Sequence, residues 1–88
     1  MLEGSRVSAS MLVGRELTFL DAEMGVRSKF DKPSAVVQVE DRGIKMKFFT
    51  CNQRLLQTIG YLKDNECFPF RGTLVRKNTS GLPDYEIE

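Results

Sequence analysis

The sequence predicts a small all-β domain carrying one short inserted helix, in the order strand, strand, strand, helix, strand, strand. Three observations carry this reading. Apolar and polar residues alternate over Ala35 to Glu40 and again over Ile44 to Thr50, the period of half-buried strands. The period then changes to helical spacing at Leu55, Ile59 and Leu62, and strand character returns from Cys67 onward. Finally, 88 residues with 41% hydrophobic and 28% charged content suit one compact domain and argue against disorder.

The elements follow in order. Residues 1–11 read as a flexible N-terminal arm, because Met1 to Ser10 is small and polar and has no clear period; residues 12–88 form the folded domain. The first strand runs from Leu12 to Leu20, with Val13, Leu17 and Phe19 on one parity. Arg15 interrupts that parity, which a curved strand at a barrel mouth tolerates. Asp21 to Pro33 is polar and reads as a long loop. Ala35, Val37 and Val39 line one face of the second strand, and Asp41-Arg42-Gly43 turns the chain back. In the third strand Ile44, Met46 and Phe48 point to the core, so Lys45, Lys47 and Phe49 point outward together.

Asn52 is a suitable N-cap for the helix that follows. Gly60 inside that helix costs about 1 kcal/mol relative to Ala and suggests close packing. Phe68, Phe70, Gly72 and Leu74 share a parity in the fourth strand, Cys67 to Lys77, and Gly72 is the device by which such a strand bends. Asn78 to Gly81 is a turn into the last strand, Leu82 to Ile87, where Tyr85 and Ile87 share a face.

This order in so few residues is the plan of the oligonucleotide-binding (OB) fold, a five-stranded Greek-key barrel with its helix between the third and fourth strands. An SH3-like barrel is the nearest competitor, but it does not offer an amphipathic helix at that point. The stretch Lys45-Met46-Lys47-Phe48-Phe49-Thr50, then the helix, then Phe70-Arg71-Gly72-Thr73-Leu74-Val75 and a turn into Tyr85 resembles small OB-fold single-stranded DNA-binding proteins of bacteriophages and bacterial mobile elements. The resemblance covers the chain from Leu12 onward in pattern and spacing, without an invariant signature. It implies a homo-oligomer that binds single-stranded DNA in replication or recombination, in the cytoplasm of a bacterial or phage-infected cell. The acidic, glycine-rich tail common in such proteins is missing.

Composition narrows the function by exclusion. With no histidine and two separated cysteines, Cys51 and Cys67, the chain offers no metal-ligand pattern, no disulfide framework and no base to activate a thiol. Both cysteines read as small buried hydrophobes. No catalytic, metal or cofactor site is expected; the carboxylates Asp21, Glu23 and Asp31 near one loop read as a salt-bridged surface. No apolar run approaches the roughly 20 residues of a membrane span, and Met1 to Ser10 has no apolar core of a secretion signal.

The net charge of +1 comes from 13 basic and 12 acidic residues that are unevenly spread. Three candidate nucleic-acid-binding sets emerge. Lys45, Lys47 and Phe49 place two cations beside an aromatic ring, the pairing that meets phosphates and stacks bases of any sequence. Its alternative is a solvated face with Phe49 covered by a loop or the helix. Arg27, Lys29, Phe30 and Lys32 form a basic loop able to close over a strand, or a plain solvated linker diluted by Asp31. Arg71, Lys77 and Asn78 are the third set, which could equally be solubilising surface. Binding of RNA stays open, because nothing here reads a 2′-hydroxyl. The other function class is a protein-interaction module, an accessory subunit of a replication or recombination assembly that docks a partner through a strand edge and Phe49. Near-zero net charge favours it.

Overall fold

The computed structural model describes residues 4–27, 33–79 and 82–88. Its strands are β1 (Ser5–Arg6), β2 (Glu16–Arg27), β3 (Pro33–Asp41), β4 (Ile44–Thr50), β5 (Phe70–Thr79) and β6 (Leu82–Ile87), with one helix, α1 (Gln53–Asp64), between β4 and β5. They form an open mixed sheet of spatial order β1-β4-β3-β2-β5-β6. All pairings are antiparallel except β1 with β4. The sequence reading expected five strands, and β1 is the sixth.

That strand corrects the picture of a flexible arm. Among the described residues the segment from Gly4 docks on β4, with Ser5 opposite Met46 and Arg6 opposite Lys47, and Val7 N–H donates to the Lys47 carbonyl at 2.9 Å. A 3-10 turn at Ala9–Met11 then brings Leu12 into the core. A side chain at Gly4 would meet the Lys45 and Met46 backbone at 2.9 Å, and its φ is +118°, so only glycine lets the arm approach this closely.

β2 is longer than expected and begins later. Its register against β3 slips between Phe19 and Asp21 and again between Met24 and Val26. The first slip adds one residue, which lets both Phe19 and Ala22 face the core although they are three apart. Bulged alternation defeats a period-2 reading, and so the stretch from Asp21 resembled a loop. Arg15, off parity in the sequence, lies just before β2 and pairs with Asp41 at the end of β3 at 3.4 Å.

The core gathers Leu17, Phe19 and Ala22 of β2, Val37 and Val39 of β3, Phe48 of β4, Leu74 of β5, and Leu55 and Ile59 of α1. Asn52 caps the helix as expected, its side chain accepting from Leu55 N–H at 3.0 Å. Leu62 of the expected stripe is half-buried. At the helix C-terminal end Lys63 reaches Asp21 at 3.2 Å and the Ala22 carbonyl. Ile44, Cys51 and Cys67 fall elsewhere than the sequence reading put them. Ile44, expected in the core, is 64% exposed at the β3–β4 hairpin; Tyr61 is exposed on α1. Cys51 and Cys67 are exposed thiols rather than buried hydrophobes, since each sits where an element has ended.

Candidate nucleic-acid interface

The outer face of β3 and β4 is fixed by their ladder. Phe48 and Thr50 are buried opposite Val37 and Ala35, which turns Lys45, Lys47 and Phe49 to the other side. There Lys45 lies opposite Glu40, Lys47 opposite Gln38, and Phe49 opposite Val36. β1 extends this face by one strand, so that Asp21, Gln38, Lys47 and Arg6 form one row across four strands. The Arg6 guanidinium lies 5.5 Å from the centroid of the Phe49 ring, a cation–π contact. Phe49 is half-buried, with Arg6 of the arm over its ring.

Charge is mixed across this face. Arg6, Lys45 and Lys47 stand on β1 and β4, and Glu16, Asp21 and Glu23 on β2. Glu40 on β3 lies opposite Lys45, and Arg71 on β5 ends the same row. Lys45 and Lys47 are themselves engaged in interactions within the fold.

The other candidates are distributed differently. Lys29, Phe30 and Lys32 lie outside the described residues. Arg27 closes β2 opposite Pro33, and Asn78 lies in β5 opposite Pro83; the description of both extends to the backbone only. Arg71 stands opposite Thr18, in the row that continues through Glu40 to Lys45, and binds Glu16 at 2.6 Å. Lys77 belongs to the β5–β6 ladder, where it contacts Glu86 at 2.8 Å and Glu88 at 3.5 Å. Its hydrogen bond to Glu86 holds the Lys77 pKa above the ordinary lysine value. Arg54 of α1 also binds Glu86, and reaches Asp84 at 3.6 Å. The acids of β6 thus anchor that strand to its neighbours, and Lys77 serves the same anchor.

Sequence reasoning missed Arg6. A two-residue strand shows no period, and the one available signal was a glycine placed just before Ser5-Arg6-Val7 in a stretch otherwise without pattern.

Two clefts border the face. One, of about 900 Å³, opens at the β3–β4 hairpin between Arg15, Glu40, Arg42, Ile44 and Arg71. The other, of about 650 Å³, lies between the arm and the end of β4, with Tyr85 of β6 on its far side. Among the described residues no group of three His, Cys, Asp or Glu side chains is placed to hold a metal ion, and no helix is long and apolar enough to cross a membrane.

The family model for a domain of unknown function, DUF8468, matches residues 3–88. The chain belongs to this family. The matched span of the DUF8468 domain includes Gly4 and Arg6, so the arm that carries Arg6 is part of the family's unit. No curated protein and no solved structure matches the chain.

Proposed function

We propose that this DUF8468 domain binds single-stranded DNA, largely without regard to sequence, on the outer face of β3 and β4. The observation that carries the reading is the placement of Arg6, Lys45, Lys47 and Phe49 on one sheet face, with Arg6 over the Phe49 ring. Cations on that face neutralise phosphates, and the half-exposed Phe49 ring beside them offers a base a stacking surface. We read the sheet as an OB barrel left open at one seam. Two features support this: the helix lies between the third and fourth long strands, and β2 pairs with both β3 and β5. The domain acts as a binding module without chemistry of its own, and as a homo-oligomer, since one such unit covers only about 4–16 nucleotides.

Fluorescence anisotropy with a labelled oligothymidine tests the reading. Three phosphate contacts give a slope of log K against log salt of about −2, so raising salt from about 50 to 200 mM weakens binding about 20-fold. Phe49→Ala loses about 1–3 kcal/mol of stacking while keeping the native circular dichroism spectrum. Absence of binding at low salt overturns the proposal.

A second reading rests on Ile44, which is 64% exposed beside the hairpin cleft. If a protein partner docks at this cleft, Ile44→Asp abolishes co-purification with it while leaving DNA affinity unchanged.

A further inference from the structure

The open sheet leaves a seam where the end of β4 faces β6 without pairing to it. Among the described residues what joins the two there is side chain: Asn52 Nδ2 donates to Asp84 Oδ1 at 3.0 Å. The arm lies along the seam and forms one wall of the cleft of about 650 Å³, a volume within the usual range for small-molecule sites, about 300–1,000 Å³. Phe49 lines the β4 side, Tyr85 the β6 side, and Arg6 and Ser8 the arm.

We infer that this seam is a second contact site for the single strand, taking one unstacked base between Phe49 and Tyr85 with the adjoining phosphate on Arg6. The inference rests on the nucleic-acid reading of the neighbouring face, and it assigns a role to the arm and to β6 that the face does not need. The chemistry of the walls argues for this occupant. Phe49 and Tyr85, the latter packed partly against the core, both border the cleft and offer a flat π-system apolar surface. The Arg6 guanidinium over the Phe49 ring adds the counter-charge of a phosphodiester. Carboxylates would oppose such a guest, but Asp84, beside Tyr85, is held by Asn52 and by Arg54 at 3.6 Å. Continuity supports it as well: Phe49 belongs to both the face and the cleft, so a strand crossing the face reaches the seam without a break.

The arm is a wall only while it stays docked, and Gly4 is what permits docking. Gly4→Ala therefore releases Arg6 from Phe49 and opens the cleft, without touching a residue that meets the ligand.

The decisive experiment is a titration of the 15N-labelled full chain with oligothymidine at low salt, following amide shifts. Shifts of Ser8, Ala9, Asn52 and Tyr85 that saturate together with those of Gln38 and Lys45 support the seam. Shifts confined to Gln38, Lys45 and their neighbours overturn it and leave the face reading intact. No shift anywhere overturns both. Tyr85→Leu, if its spectrum stays dispersed, binds at least about fivefold more weakly, and unchanged affinity in a folded Tyr85→Leu overturns the seam. Gly4→Ala loses affinity to a similar degree; if it binds as tightly as the natural chain, the arm is no part of the site.

Discussion

At the scale of single residues, two glycines decide more than any charged side chain. Gly72 is the place where β5 passes closest to the end of β6: an added Cβ would lie 2.9 Å from Ile87 Cγ2 and 3.2 Å from the Glu88 carbonyl. The Ile87 methyl branches directly from its Cβ and cannot swing away, and the Glu88 carbonyl is tied to Thr73 N–H at 2.8 Å. Gly72→Ala is therefore expected to overpack this corner at about 1–3 kcal/mol, read as a lower urea midpoint with β6 amides the first to lose protection. Gly72 was legible as a bend residue because it interrupts an apolar parity. Gly4 was not, because what it approaches is the backbone of Lys45 and Met46, some forty positions away in the chain. The Asn52 cap was legible for the opposite reason: its partner, Leu55 N–H, is three residues on.

At the scale of elements, ion pairs among the described residues tie β6 to both β5 and α1. Glu86 accepts from Lys77 and from Arg54, and these hydrogen bonds, with the attraction of both cations, hold its carboxyl below the ordinary glutamate value. A carboxylate with a depressed folded pKa contributes stability above its unfolded value, and that stability is lost as pH falls through the folded value. β6 is therefore expected to stay docked at neutral pH and to loosen on acidification below the usual glutamate range. Amide exchange followed against pH checks this: β6 protection falls before that of β3 and β4, and Glu86→Gln removes the pH dependence of that difference. The ends of β6 and β4 were predicted to the residue because their periods are regular. β2 was cut short in prediction because its two bulges break the alternation on which the reading depended.

For the whole molecule, one apolar cluster spans the sheet and α1, and domains of this size are typically stable by only about 5–15 kcal/mol. Ile59 is fully buried at the junction of helix and sheet. Ile59→Ala is expected to cost about 2–5 kcal/mol, seen as a fall in the urea midpoint with an unchanged slope, because the cluster unfolds as a unit. The candidate interface lies on the opposite face of the sheet from this core, so oligothymidine affinity of the folded Ile59→Ala fraction should equal that of the natural chain.

The sequence by itself determined the β3–β4 hairpin, the helix with its cap, the strands that follow it, and the outward grouping of Lys45, Lys47 and Phe49. All of these follow from neighbours two to four residues apart, the range over which pleat and helical turn impose a period. The tertiary structure alone decided that the sheet stays open, that Arg6 lies over Phe49, and that Tyr85 borders the same cleft as both. Those contacts join the two ends of the chain to its middle, and they depend on backbone approach and strand pairing, which leave no local period to read.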